Sequence, residues 1–327
     1  MKKISLLLTI GLIAANCTAQ QPTPNNGGEF HGFGGLQSNS DTAQYSEKFV
    51  DINYANDNQS YHNLDIYLPK EKKDSYPVII HIYGSAWFSN NSKGAADINT
   101  ICAAYLNAGY AVVTPNHRAS TEAKFPAQIN DIKAVVRFVR ANANKYHFDT
   151  SFIATSGFSS GGHLASLTAT TRNEKQPNID GYTIDLEGNV GIYTNYSSSV
   201  DAACDWSGPI DLQNMDCGEG MKMPTSPEEV ILGVPMKGNE NRYKALSAHT
   251  YIDPTDPPII VCHGKKDNVV PFCQGEIFYN ALKAKNVTTD FIVVEEGGHG
   301  FNMYSKEVLD KAIGFINAAR EAKNNKK

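Results

Sequence analysis

From position 48 onward, short apolar runs alternate with longer stretches in which apolar residues recur every three or four positions. The runs predict strands at 48–54, 64–68, 78–83, 111–115, 151–155, 202–206, 259–263 and 289–294. Several are nearly unbroken in apolar residues, the pattern of strands buried on both faces. The longer stretches predict helices at 97–107, 126–142, 163–170, 274–285 and 306–324. Within 126–142, Ile129, Ile132, Val135, Val136 and Val139 share one helical face, while Lys133, Arg137 and Arg140 fill the opposite side. Strands alternating with helices imply an α/β protein built on a mostly parallel eight-stranded sheet with helices on both faces. The first two strands, joined by a polar turn region at 55–63, are expected to pair as an antiparallel edge. Two stretches, 172–200 and 213–252, fit no strand–helix unit. They are read as small insertions above the C-terminal ends of the strands.

The chain opens differently. Lys2 and Lys3 precede an apolar run at 4–15 that is too short to span a bilayer, and small residues follow. This is the pattern of a secretory signal peptide, with cleavage after Ala19 leaving Cys17 and Ala19 at the two small-residue positions. Lipidation at Cys17, with tethering to a membrane, is the rival; Asn16 before it argues for soluble export. Residues 20–45, rich in Gly, Asn and Gln, read as a flexible linker, and 46–327 as one folded α/β domain. Once Cys17 is set aside, Cys102, Cys204, Cys217, Cys262 and Cys273 remain. Cys204 with Cys217 is the candidate short-loop bridge, at a spacing unlike that of a zinc site.

Composition narrows the function classes. With 41% hydrophobic residues in 327, and with 14 Phe, 16 Tyr and 2 Trp to bury, the chain is neither disordered nor a disulfide-framework miniprotein. A net charge of −5 argues against general nucleic-acid binding.

Gly157-Phe158-Ser159-Ser160-Gly161 matches G-x-S-x-G, with a predicted strand running in and a helix running out. That is the setting of a nucleophile elbow. A turn sharp enough to lift a serine above the sheet brings the residues two before and two after it together, so both must lack a Cβ. The register selects Ser159, because Ser160 would carry Phe158 at its minus-two position. An anion-binding loop is the bland alternative, but the Lys-Ser/Thr pair of a phosphate loop is missing.

A serine hydroxyl needs a base to take its proton and a carboxylate to orient that base. In this topology the order is Ser, acid, His. His163 falls on the elbow helix and is expected to point into packing. His263 ends a buried strand and reads as a satisfied core imidazole, and His249 lies in an insertion as a candidate substrate contact. His299, in Glu296-Gly297-Gly298-His299-Gly300-Phe301 after the last strand, is the expected base. Asp267, just past the strand that ends at His263-Gly264, is the expected acid. Asp211 competes, though capping the turn after Pro209 suits it better. The oxyanion is to be met by backbone N–H groups of Ser85, Ala86 and Ser160. Trp87, Tyr83 and Phe158 are weaker candidates for substrate contact.

These motifs together resemble the α/β-hydrolase superfamily, particularly its hormone-sensitive-lipase-like and bacterial feruloyl/acetyl-esterase branch. Leu64-Asp65-Ile66-Tyr67-Leu68-Pro69, Gly84 through Trp87, Phe125-Pro126-Ala127-Gln128, the elbow, the Asp267 loop and His299-Gly300-Phe301 all fall in the family's order. The chain departs from it at Tyr83, where the family has His, and at Ser85 and Ala86, where it has Gly. The resemblance implies the α/β-hydrolase fold, a Ser159–His299–Asp267 triad, no cofactor or metal, and a small-molecule or polysaccharide ester as substrate, with a membrane as partner only if Cys17 is lipidated. Joined to export, it implies acetyl or feruloyl esters of plant polysaccharides, with Tyr182, Tyr193, Tyr196, Met221 and Met223 of the insertions available to line the site. A peptidase or amidase on the same fold and a silent binding module are the alternatives.

Overall fold

The computed structural model describes residues 43–93, 97–217 and 226–325. The expected signal peptide with Cys17, nearly all of the linker, and Met221 and Met223 lie outside the described residues. Within them the strands are β1 (Tyr45–Asn53), β2 (Asn63–Pro69), β3 (Tyr76–Ile82), β4 (Ala111–Pro115), β5 (Phe148–Phe158), a short β6 (Asn178–Ile179) and β7 (Tyr182–Thr183) hairpin, β8 (Ala202–Trp206), β9 (Ile259–Gly264) and β10 (Thr289–Val294). The helices are α1 (Ile101–Asn107), α2 (Ala127–Ala141), α3 (Ser160–Thr170), α4 (Pro227–Leu232), α5 (Glu240–Leu246), α6 (Cys273–Ala284) and α7 (Lys306–Asn324).

The main sheet has eight strands in the order β1-β2-β4-β3-β5-β8-β9-β10. β2 runs antiparallel to both β1 and β4, and the remaining pairs are parallel. This is the α/β-hydrolase fold. The all-apolar runs occupy its centre: every residue of β3, β4, β8 and β9 is buried. Alternation along each strand divides the core in two. Val78, Ile80, Val113, Ile153 and Ala203 face the layer of α2, α3 and α6, whereas Ile79, Val112, Ala154, Cys204 and Ile260 face α1 and α7.

Three expectations are corrected. First, the polar side of α2 is buried. Lys133 and Arg137 are at most 1% exposed, because residues 185–199 lie against them. Arg137 donates to a Glu187 carboxylate oxygen at 2.6 Å, Lys133 to the Thr171 carbonyl at 3.0 Å, and Arg140 to the Ser199 carbonyl at 2.6 Å. Burial, partly opposed by Glu187, pushes the Lys133 ammonium down to about 8. The 172–200 stretch is therefore a flank on α2 rather than a roof over the strand ends. Tyr193 packs on Phe138 and Tyr196, and Tyr182 lies under Arg242, so these tyrosines hold the insertion together.

Second, Cys204 sits inside β8 with its side chain in the α1/α7 core, out of reach of Cys217. Cys217 pairs instead with Cys273, 56 residues away at the start of α6. Third, the elbow helix begins at Ser160, not His163, and β5 extends to Phe158, so strand and helix meet at the serine itself.

The described part of the second insertion, 213–217 and 226–252, carries two short helices, α4 and α5. Ser226 caps α4 by accepting from the Glu229 amide, Pro227 occupies its first turn, and Gly233 closes it at φ 71°. The Phe125 amide donates to the Ile231 carbonyl, which ties α4 beside the start of α2.

Candidate active site

Ser159 stands between β5 and α3 at φ 56°, ψ −124°, a left-handed conformation costly for a side-chain-bearing residue. The crowding around it explains the flanking glycines. A Cβ on Gly157 would lie 2.1 Å from the Gly161 carbonyl oxygen, and one on Gly161 would lie 2.1 Å from the Ile82 carbonyl oxygen. The turn is pinned by the Ser159 amide donating to the Trp206 carbonyl at 2.8 Å and the His163 amide donating to the Ser159 carbonyl at 3.0 Å. Ser160, the other serine, is only 1% exposed.

His299 lies on the loop after β10, and its Nε2 is 2.9 Å from Ser159 Oγ. Its Nδ1 is 2.7 Å from Asp267 Oδ2. Asp267 follows β9, and its Oδ1 accepts from the Val269 and Val270 amides at 2.9 Å each. Burial alone would raise this carboxyl, but hydrogen bonds from His263 and His299, and their charge, hold it well below the usual carboxylate range. An ionised Asp267 only accepts, so His299 Nδ1 carries the proton and Nε2 presents a lone pair to the serine. The two loops are knitted together: the Lys266 amide donates to the Gly297 carbonyl and the Lys265 amide to the Val294 carbonyl. Asn302 accepts from the Gly298 amide and donates to the Glu296 carbonyl, closing the His299 loop on itself. The Phe158 ring covers the imidazole at 4.7 Å.

The remaining candidates separate cleanly. His163 bonds the Leu246 carbonyl at 2.7 Å, and burial pushes it down to about 4. His249 contacts the Ile210 carbonyl and does not border the cavity. Asp211 accepts from the Gln213 amide, a local turn bond. His263 donates to the Val270 carbonyl, but it also lies 3.5 Å from Asp267 Oδ2. It is a satisfied core imidazole, as expected, and also a neighbour of the acid.

In the loop after β3, Ala86 and Trp87 both have positive φ, 50° and 61°. A Cβ on Gly84 would meet the Phe158 carbonyl oxygen and Ser159 Cβ at 2.8 Å, so the loop lies directly on the elbow. One expected donor is reassigned. The Ser85 amide donates to Ser160 Oγ at 2.9 Å and Ser85 does not border the cavity, whereas Ala86 and Ser160 do. Among the described residues the Ala86 and Ser160 amides make no internal hydrogen bond. Tyr83 is also corrected: it is buried, stacked on His117, with its hydroxyl donating to the Ser89 carbonyl. Trp87 forms a wall.

The cavity above Ser159 holds about 310 Å³. Its apolar sides come from Pro209, Met215 and Val269 through Pro271, and Asp216, Ser226 and Glu228 supply polar groups. The sequence reading missed these loop positions, because nothing in a single insertion's composition says which of its residues turns inward. The Cys217–Cys273 bridge joins two of the walls, and Gln274 beside it accepts from the Ile210 and Asp211 amides and donates to the Asn214 carbonyl. Among the described residues there is no cluster of three or more His, Cys, Asp or Glu suited to a metal, and no helix long and apolar enough to cross a membrane.

The chain is similar to a truncated carbohydrate esterase from gut microbiota, 41% identical with a TM-score of 0.82, over 86% of this chain and 99% of that one. It is also similar to a bifunctional GH43-CE protein of Bacteroides eggerthii, 47% identical with a TM-score of 0.80, over 84% of this chain and 35% of that one. Esterase LipQ of Mycobacterium tuberculosis is 30% identical over 69% of this chain and 51% of its own length. The chain thus spans about half the length of the curated relatives it matches. The BD-FAE family model matches residues 64–282, from β2 to α6, and the chain belongs to the BD-FAE family of α/β-hydrolases.

Proposed function

We propose that this chain is an exported serine carboxylic-ester hydrolase. The observation that carries the reading is the unbroken run from Ser159 Oγ to His299 Nε2 at 2.9 Å and from His299 Nδ1 to Asp267 Oδ2 at 2.7 Å, at the floor of an open cavity. Ser159 attacks the ester carbonyl while His299 takes its proton, and the ionised Asp267 stabilises the resulting imidazolium. The oxyanion is met by the Ala86 and Ser160 amides, fixed in place before the reaction begins. His299 then protonates the departing alcohol, leaving an acyl group on Ser159, and water repeats the sequence to release the acid. These steps call on no cofactor.

Acetyl or feruloyl esters carried by plant polysaccharides are the proposed substrates. The support is that one structural relative is named a carbohydrate esterase and another a bifunctional GH43-CE protein. Export rests on the leader pattern of Lys2, Lys3 and the following apolar run, and on a disulfide, which persists in oxidising compartments. Tethering through Cys17 is the alternative destination.

A fluorophosphonate probe should label Ser159, and Ser159→Ala should abolish p-nitrophenyl acetate hydrolysis with an unchanged circular dichroism spectrum. Activity retained by that variant would reject the nucleophile. A panel of acetyl-xylan, methyl ferulate and aminoacyl-nitroanilides should show turnover of the first two; preferential cleavage of the anilides would favour a peptidase.

A further inference from the structure

Ser160 follows the nucleophile, and two facts about its side chain are unusual. The residue is 1% exposed yet borders the cavity. Its Oγ accepts from the Ser85 amide at 2.9 Å, and among the described residues no acceptor receives its own proton. A hydroxyl has one hydrogen to donate, and a buried donor left without an acceptor is costly.

We propose that the Ser160 hydroxyl is a third donor to the oxyanion, resting on the reading of Ser159 as nucleophile. Ser160 then contributes twice, through the backbone N–H at the first turn of α3, which has no intrahelical partner, and through its O–H. Ser85 acts from one bond behind. By donating to Ser160 Oγ it polarises that hydroxyl and strengthens the bond the hydroxyl makes to a developing negative charge. No proton is transferred; the O–H stays covalent and only reorients as charge appears. The arrangement accounts for an oxyanion loop whose Ser85 amide faces away from the cavity.

The decisive variant is Ser160→Ala, which removes the hydroxyl and leaves every backbone amide. The expected result is a fall in kcat for p-nitrophenyl acetate on the order of 10- to 100-fold, with KM within about threefold. Inhibition by butylboronic acid, whose tetrahedral adduct on Ser159 places an anionic oxygen in the same hole, should weaken by the same factor. A hydroxyl that merely tethers the Ser85 loop is separated by Ser160→Cys, whose sulfur can still accept from that amide and would then keep wild-type kcat and boronate affinity. Unchanged kcat, or lowered kcat with unchanged boronate affinity, overturns the proposal. If Ser160→Ala does not fold, Ser160→Cys decides, since a thiol of similar size is a weaker donor and should give an intermediate kcat; wild-type kcat there overturns it equally. Should wild-type protein neither bind the boronate nor label at Ser159, the nucleophile assignment itself has failed.

Discussion

Two Ser–His–Asp chains start from serines three residues apart, Ser156 within β5 and Ser159 just past its end. In one, Ser159, His299 and Asp267 are linked at 2.9 and 2.7 Å. In the other, Ser156 Oγ lies 3.1 Å from His81 Nδ1, and His81 Nε2 lies 3.1 Å from Asp97 Oδ2. By distance alone they are nearly equivalent. Their surroundings are not. Ser156 is part of regular β5, fully buried, with its oxygen also accepting from the Tyr105 hydroxyl at 3.1 Å. Ser159 sits at φ 56° beneath a cavity, next to amides without internal partners. The lesson is that a hydrogen-bonded trio is ordinary chemistry for a buried histidine. What separates a site from a brace is room for a carbonyl carbon and donors for the charge it acquires. The Ser156 set braces the segment before α1 against β3 and β5.

The largest expected contrast is between the serines. Ser159→Ala should cost at least about 10⁴-fold in ester hydrolysis with little change in melting temperature. Ser156→Ala should leave kcat within about threefold but lower stability by about 1–2 kcal/mol, because His81 and Tyr105 each lose a buried partner. Denaturant melts alongside steady-state kinetics test both. A Ser156→Ala enzyme as dead as Ser159→Ala would erase the distinction.

The acids come next. Asp267→Asn should lower kcat by about 10³- to 10⁴-fold by reversing the tautomer offered to Ser159, while Asp97→Asn changes it only a few-fold. Stability against pH sharpens the point. The Asp267 carboxyl is held below its unfolded value, so its contribution is complete above about pH 4 and is lost as pH falls toward the folded value. Melting curves between pH 6 and pH 3 should therefore fall less steeply for Asp267→Asn than for wild type. Parallel curves would contradict the assigned ionisation.

How far the two sets were legible follows from the range of the forces involved. The elbow was readable because a Cβ at Gly157 would collide with the backbone of Gly161, four residues on, whatever the rest of the fold does. β4, β8, β10 and α7 fall where the apolar pattern puts them, since hydrophobic period is likewise a short-range signal. The buried side of α2 was not readable. Helical periodicity distinguishes two faces but cannot tell water from residues 185–199 arriving with Glu187. The Ser85 amide was missed because its direction depends on the backbone path from Gly84 to Ser85, which no side-chain pattern encodes. The Ser156 brace escaped notice because His81 and Asp97 carry no motif.

A smaller effect tests whether only the Ser159 set has walls to lose. Replacing Cys217 and Cys273 by Ala opens a loop of 56 residues, with an expected cost of about 3–4 kcal/mol and a several-fold fall in kcat/KM as Met215 and Asp216 drift from the α6 side. Thermal melts and kinetics of the double variant check this. A full stability loss with unaltered kcat/KM would show that the bridge holds the fold and not the cavity.

The smallest contrast concerns the outer partner of each set. His263 lies 3.5 Å from Asp267 Oδ2 and is buried, while Tyr105 donates to Ser156 Oγ. Each removal should cost about 1 kcal/mol of stability, so stability alone cannot tell them apart. Turnover can. His263→Gln loosens the carboxylate that orients His299, and kcat should fall about threefold with KM unchanged; Tyr105→Phe loosens only a brace, and kcat should not move. Because Asp267 also keeps its Val269 and Val270 amides, the His263 effect must stay small. A loss above about 30-fold would mean that His263 carries the orientation that those two amides are here assigned. Equal kcat for both variants would mean that the influence of the site ends at Asp267.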